Sequence, residues 1–541
     1  MALDNHDCFK QLKSLRDKVN WKVEAERHYF FYQVEPLFNG WVGQLPILKN
    51  IVGTEEMSWL LMNYYQKEEF VKFVASSGYK EEPKPDEKGA KPSSSRRTTL
   101  VHRAAKIRSY SCLAMTSLFE IVDRFDVNYV DDSGRTHFHL ACERGLFEVC
   151  RKFIDRGLDV NCIEPKTGAS GLHLAVEHNR GRVAELLLRL GKADPNSVNA
   201  EGRTPLHIIC MKDDKYNHVF ADLFFKVVKH MEKKVAVDAR DKMGWTPLQY
   251  VLQDVGCKKE LLRVLLSNGA DPNLIVRLGM TPLHLICNRD SDDGLAEVFF
   301  KVTDDTEQEV KVDTKDVSGR TPLQYAVANL LPNVVGLLLK HRADLASFVF
   351  PSEDYFAAML EWRPQTLIWG FFKLRLAAGA LGCLEHLEKA GYQPSKSDVS
   401  QIIKLFSKYQ LYEMAKDESK KLMLDIGSWA DKAKKEIVTE NLSLYDLVQC
   451  RVEDVADAIE YADYFSFPNR VGYWPSDVCA QRLCETAARG FFRRWIGRLA
   501  GHQEAFAECP GGILDGLTNR ELCDIFLRAE EKSSQLACSS S

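Results

Sequence analysis

Apolar residues recur at the three- and four-residue spacing of a helix along most of this chain. The pattern predicts helices over Trp21 to Phe31 and Met57 to Tyr65, within an N-terminal helical region spanning 1–78. It predicts others over Ala184 to Leu188 and Leu261 to Leu266, then over Leu367 to Lys389 and Ser397 to Tyr412. Asn441 to Leu447 opens a further helix, with Ser443 placed as its N-terminal cap. Residues 79–97 read as a disordered linker, because the Pro, Lys, Glu and Ser content from Glu81 to Arg97 cannot bury enough surface to order itself. No stretch approaches roughly 18 uninterrupted apolar residues, so no membrane-spanning helix is expected.

A four-residue motif punctuates the middle of the chain. It stands as Thr204-Pro205-Leu206-His207, Thr246-Pro247-Leu248-Gln249, Thr281-Pro282-Leu283-His284 and Thr321-Pro322-Leu323-Gln324. Looser copies begin at Thr136 and Ser170, and a weaker one at Thr99. The successive spacings are 37, 34, 34, 42, 35 and 40 residues. Thr suits a helix N-cap, and Pro suits the first helical position, where no N–H partner is lost. Leu is the first core residue of each unit. Gly134, Gly168, Gly202, Gly244, Gly279 and Gly319, two residues before the Thr or Ser, give the preceding turn its positive φ.

This period and motif resemble the ankyrin-repeat family. The resemblance implies an all-α ankyrin-repeat solenoid over 98–346, of helix-turn-helix units with β-hairpin tips, flanked by N- and C-terminal helical domains. It implies about six or seven repeats, two of them with insertions. In that family the motif His hydrogen-bonds across neighbouring repeats, which gives His139, His173, His207 and His284 a structural role. The long copies each hold a Phe-Phe-Lys-Val run, Phe224 to Val227 and Phe299 to Val302. These fit core packing of a longer second helix, the alternative being a widened partner-binding face.

After a helical extension over 347–440, residues 441–529 change character. The run Gly490-Phe491-Phe492-Arg493-Arg494-Trp495 is followed by Pro510, Ile513, Leu514, Leu517, Asn519 and Leu522. This end resembles the PRANC domain that follows ankyrin repeats in poxvirus, parasitoid-wasp and endosymbiont proteins. The resemblance implies an F-box-like hook for the Skp adaptor of cullin-RING ubiquitin ligases. In that reading Pro510 starts the hook helix, Ile513, Leu514 and Leu517 form its apolar face, and Leu522 belongs to the next helix. Gly511, Gly512 and Gly516 depart from the pattern, each interior Gly costing a helix roughly 0.8–1 kcal/mol. The alternative is that 441–529 caps the repeats as a polar-faced helical end. Residues 530–541 read as a disordered tail.

Composition narrows the function classes. The net charge of −4 weakens any reading as a globally basic nucleic-acid binder. The 15 scattered cysteines fit buried reduced thiols, hence a cytoplasmic or nuclear setting. Lys91 to Arg97 reads as solvated linker, the alternative being a nuclear signal. Arg489, Arg493, Arg494 and Arg498 read as the solvated face of an amphipathic helix rather than a nucleic-acid surface, and Asp213-Asp214 and Asp290 to Asp293 as solvated loops. No phosphate loop, paired catalytic carboxylates or nucleophile elbow is present, so no enzyme, cofactor or metal site is expected, and no nucleic-acid or membrane partner.

Binding is therefore assigned to the hairpin tips lining the concave face of the repeats. The candidate row is Asp132 and Arg135; Lys166 and Ala169; Glu201 and Arg203; Lys242, Met243 and Trp245; Ile275, Arg277, Leu278 and Met280; Val317 and Arg320. Trp245 and Arg277 have the chemistry of binding hot spots, and Ile275, Val276 and Leu278 are unusually apolar for a tip, the alternative being that Trp245 and Leu278 pack on the adjacent long insert. The expected function is a monomeric, non-enzymatic scaffold linking a protein target to a cullin-RING ligase. The alternative is a scaffold that sequesters a signalling protein, as inhibitors of Rel-type factors do.

Overall fold

The computed structural model describes residues 5–39, 41, 45–81, 97–253, 256, 258–360, 369–411, 430–431, 433–439, 442–450, 459–461, 463–465, 467, 477–500 and 517–528. The chain forms two compact units, Met1–Ala270 and Asp271–Ser541, each described here by itself.

The first unit opens with helices Asn5–Asp17, Glu24–Asn39, Thr54–Tyr64 and Glu68–Ser76. Their core is aromatic: Phe31 stacks on Tyr64 at 3.5 Å and meets the Phe70 ring edge-on at 5.1 Å. Glu68–Ser76 packs on Cys112–Val122, the second helix of the first repeat. The Tyr110 hydroxyl donates to the Tyr65 carbonyl, and Glu68 accepts the Ser111 N–H, both at 2.8 Å. The N-terminal region is thus packed onto the repeats rather than held off by a linker. Of the expected linker 79–97, the two described ends are ordered. Tyr79 is buried, the Glu81 N–H reaches Ile121 O at 2.7 Å, and the Arg97 N–H reaches Val130 O at 2.9 Å. Backbone hydrogen bonds and one buried ring fix these ends despite their polar composition. Residues 82–96 lie outside the described residues.

Five helix pairs follow in this unit, from Leu100–Ala105 with Cys112–Val122 to Pro247–Gln253 with Lys259–Ser267. The second unit holds two more, Pro282–Cys287 with Leu295–Asp305 and Pro322–Ala328 with Pro332–Lys340. Each first helix starts where the motif places it. Thr136, Thr204 and Thr281 accept the N–H of His139, His207 and His284 as N-caps, each cap contributing about 1 kcal/mol. Phe224 and Phe225 on the long helix Asn217–His230, and Phe299 and Phe300 on Leu295–Asp305, are all buried. The two Phe pairs are core, not a widened binding face. Cys142, Cys210 and Cys287 are buried free thiols.

In the second unit the long helix Trp369–Lys389 packs against both Pro332–Lys340 and Asp477–Ala500. Small residues permit that sandwich. A Cβ on Gly379 would stand 2.7 Å from the Leu330 carbonyl oxygen, and one on Gly382 would stand 2.9 Å from the Pro332 ring. The segments assigned separately to 347–440 and 441–529 thus share one core with the last repeats. Ser443 caps Leu444–Gln449 as expected, its hydroxyl oxygen accepting the Asp446 N–H at 3.2 Å. A short antiparallel ribbon, Ile437–Thr439 with Leu442–Ser443, departs from the all-helical pattern. It is too short for strand alternation to register.

Two solvated-surface expectations are corrected. The Asp290 to Asp293 loop is clamped, with Arg289 paired to Asp293 at 2.6 Å and the Arg375 guanidinium donating to Asp290 O at 2.7 Å. Burial pushes the Asp292 carboxyl above its ordinary range, against a hydrogen bond from Asn333. Arg489 is not on a solvated helix face. It is 3% exposed and its guanidinium donates to the Leu517 carbonyl, tying segment 517–528 to the long helix. Arg494 is exposed and pairs with Glu388 at 2.8 Å.

Candidate functional site

Four of the hairpin tips share one internal device. Asp131, Asn199 and Asp241 in the first unit, and Asp316 in the second, each turn a side-chain oxygen back on the tip. That oxygen accepts the N–H groups two and four residues on: Ser133 and Arg135, Glu201 and Arg203, Met243 and Trp245, Ser318 and Arg320, all at 2.8–3.0 Å. Burial would raise the Asp131 and Asp241 carboxyls, but hydrogen bonds from the Ser133 and Tyr250 hydroxyls, together with these N–H groups, outweigh it and hold both below the usual range. On the tips the donors are main-chain N–H groups, joined only at Asp131 by the Ser133 hydroxyl, and the side chains of Glu201, Lys242, Met243 and Ser318 take no part in the clamp.

Two sets of ties join each tip and helix to its neighbours. In the first, the motif His bridges two repeats. The Thr204 N–H donates to His207 Nδ1 at 3.1 Å, so Nε2 carries the proton and donates to the Trp245 carbonyl at 3.0 Å. The same bridge runs from His102 to Arg135, His139 to Cys162, and His173 to Arg203, each at 3.1 Å, and in the second unit from His284 to Arg320 at 3.0 Å. Burial lowers the pKa of each of these imidazoles, which keeps them neutral. Where the motif reads Gln, Gln249 Oε1 accepts the Thr246 N–H at 2.8 Å, and at the second such position the amide performs both halves of the task. Gln324 Oε1 accepts the Thr321 N–H at 2.9 Å, and its Nε2 donates to Val349 O at 3.2 Å.

The second set was not foreseen from the sequence. A side chain at or beyond the end of several first helices donates to carbonyls at the end of the preceding first helix: Arg144 to Ala105 O at 2.7 Å, Arg180 to Glu143 O at 2.9 Å, Lys212 to Val176 O at 3.2 Å and Lys258 to Cys210 O at 3.0 Å. Asn329 does the same to Cys287 O at 3.1 Å in the second unit. A cation at a helix C-terminus also meets the negative end of its dipole.

These ties sort the candidate row. In the first unit Asp132, Lys166, Glu201, Lys242 and Met243 are exposed, while Ala169 is buried. Arg135 is held by Glu143 and, at 2.9 Å, by Glu164. Arg203 sits 3.7 Å from Asp241, and half-buried Trp245 packs 5.3 Å from Tyr250. In the second unit Ile275, Leu278 and Val317 are 52%, 66% and 71% exposed. Arg277 is exposed, Met280 is half-buried, and Arg320 lies 3.9 Å over the Tyr355 ring. The row thus mixes displayed side chains with others engaged in packing the repeats.

The adaptor-binding set is placed differently. Pro510, Ile513 and Leu514 lie outside the described residues. Leu517 is half-buried, with its carbonyl taken by Arg489, and Leu522 is 1% exposed. Among the described residues no group of His, Cys, Asp or Glu is placed to hold a metal ion, and no helix is long and apolar enough to cross a membrane.

Over residues 101–348 the fold and tips are those of ankyrin repeats. The sequence profile described as "Ankyrin repeats (3 copies)" matches residues 101–198, 172–275 and 253–348. The chain is 34% identical over 129 residues to the probable 26S proteasome regulatory subunit p28 of Saccharomyces cerevisiae, covering 24% of this chain and 52% of that protein. It is 35% identical over 82 residues to the nuclear factor NF-kappa-B p105 subunit of Gallus gallus, 15% of this chain and 8% of that one. Among solved structures, the ankyrin repeat domain of Bcl-3 aligns over 39% of this chain and 89% of its own length, at 21% identity and a TM-score of 0.33. The chain therefore spans about half the length of the yeast protein and a small part of the chicken one.

Proposed function

We propose that this chain is a binding scaffold that holds a protein target at its ankyrin hairpin tips and acts by sequestering it. The observation that carries the reading is the separation of labour at the tips. Buried and half-buried His, Gln and Asx side chains hold the repeats, while the side chains of Met243, Arg277, Leu278 and Val317 stand outside those ties. Apolar and Arg side chains displayed on a rigid frame are the chemistry of a protein interface. Similarity to part of the NF-kappa-B p105 subunit supports a partner among signalling proteins.

The second reading, a substrate adaptor for a cullin-RING ligase, draws on the PRANC-like end and on similarity to part of a proteasome regulatory subunit. Burial of Leu522 in the chain's own core, and the engagement of Leu517 by Arg489, weigh against it. A side chain already covered by its own domain offers no face to an adaptor. The test is titration of the full-length chain with purified Skp adaptor, beside a Pro510→Ala, Ile513→Ala, Leu517→Ala variant. Absence of binding supports sequestration. Saturable binding lost in the variant would replace it with the ligase-adaptor reading, and a partner whose half-life then falls in a proteasome-dependent way would complete that case.

A further inference from the structure

We infer that the hairpin tip 275–280 is a docking point for an acidic segment carrying large apolar side chains, supplied by the protein target. The inference rests on the scaffold reading and names the chemistry of the partner at one tip. The tip keeps the backbone register of the others. The Val276 N–H reaches Met280 O at 2.9 Å, as Asp131, Asn199, Asp241 and Asp316 reach their counterparts. Val276, however, stands where those tips have Asp or Asn. It has no side-chain oxygen, so the clamp on the residues two and four positions on is missing.

Three consequences follow on the tip itself. Leu278 adopts φ +61°, a left-handed conformation that a bulky L-residue rarely takes, whereas Ser133, Glu201, Met243 and Ser318 at the same position do not. Its N–H has no acceptor among the described residues, although the equivalent N–H groups all have one. Its side chain is thrust into solvent, 66% exposed, beside Ile275. The next tip extends the patch, since the Val317 N–H donates to Leu278 O at 2.9 Å and the Val317 side chain is 71% exposed.

The charges around the patch choose the partner. Arg277 is exposed with no ion pair among the described residues, and Lys315 is exposed two residues before Val317. The Asp316 carboxylate is already committed to the N–H groups of Ser318 and Arg320 and to the Tyr325 hydroxyl at 2.8 Å. What remains on offer is a guanidinium, an ammonium, one free main-chain N–H and an apolar surface. A carboxylate next to a Leu or Phe side chain satisfies all four. A basic segment is repelled by the two cations, and a neutral polar one accepts hydrogen bonds without supplying the opposite charge or the apolar side chain.

Two variants separate binding from folding. Leu278→Gly removes the apolar side chain from a backbone that glycine adopts without strain. Val276→Asp restores the missing clamp, occupies the free N–H and adds a negative charge. Both should melt at or above the temperature of the natural chain. The probes are three pools of short fluorescent peptides with fixed Leu and Phe positions, whose polar positions are Asp/Glu, Asn/Gln or Lys/Arg, titrated into the full-length chain. The acidic pool should bind tightest, and each variant should weaken it by about tenfold or more. The inference is overturned if the acidic pool binds no better than the other two, or if both variants bind it as the natural chain does. Binding that survives both variants but falls with Met243→Ala or Trp245→Ala would overturn this tip while leaving the scaffold reading in place.

Discussion

His284 Nε2 donates to the main-chain carbonyl of Arg320 at 3.0 Å, crossing from one repeat to the tip of the next, while its Nδ1 receives the Thr281 N–H at 3.1 Å. One buried imidazole therefore satisfies a donor and an acceptor belonging to different repeats. The Gln324 amide does the same from the equivalent position. His284→Gln should accordingly cost under about 1.5 kcal/mol. His284→Ala strands two buried main-chain groups and leaves a cavity, and should cost about 2–4 kcal/mol. Urea unfolding of the two variants checks the difference, and equal losses would deny the bridge its role.

Acid should loosen the repeats before it protonates most carboxylates. His102, His137, His139, His173, His207 and His284 all have pKa values lowered by burial. Below about pH 6.5 the unfolded chain takes up protons that the folded chain refuses, so stability is full above that pH and falls as pH drops through it. The slope is up to about 1.4 kcal/mol per pH unit for each histidine. Melting curves between pH 7.5 and 5.5 should show the loss, and His284→Gln should reduce the slope. A flat profile would contradict the neutral, buried assignment.

Arg489→Met should free segment 517–528 from the long helix, because the Leu517 carbonyl loses its guanidinium partner. Removing a charged hydrogen-bond donor from a buried acceptor costs about 1–3 kcal/mol. Hydrogen exchange should rise across 517–528 while protection in the repeats stays unchanged. Unchanged exchange there would show that the burial of Leu522 and Cys523 alone holds the segment.

Gly379→Ala should destabilise the second unit by about 1–3 kcal/mol, since the added carbon meets a main-chain oxygen 2.7 Å away that cannot rotate aside. Scanning calorimetry of the full chain is the measurement. An unaltered transition would mean that the long helix and the Leu330 turn can part without loss.

The repeat frame was legible because it is written many times. Thr204, Pro205, Leu206 and His207 each answer to a local requirement of a helix start, and repetition turned a weak motif into a fold. Val276 was also visible as an apolar tip residue, but its meaning needed the clamp seen in the other tips. The ties from Arg144, Arg180, Lys212 and Lys258 were hidden because their distance from the motif varies, and a lone cation in a loop resembles any solvated one. Arg489 was misread for a related reason: charge spacing along a helix cannot tell a solvated face from one covered by a distant segment. Gly379 lies inside the helix expected over Leu367 to Lys389, and helical spacing alone gives no sign that it is a point of contact. Pro510, Ile513 and Leu514 lie outside the described residues.

The Asx clamp grips the tip through its main chain, and so it places almost no demand on the identity of the residues it displays. A lineage carrying this protein can exchange Glu201, Lys242 or Met243 one at a time, each intermediate remaining folded, while the partner drifts. The histidines and the clamp would then be the slow-changing part of the gene and the displayed residues the fast one. An arms race with a changing target could be run by substitution at a few codons.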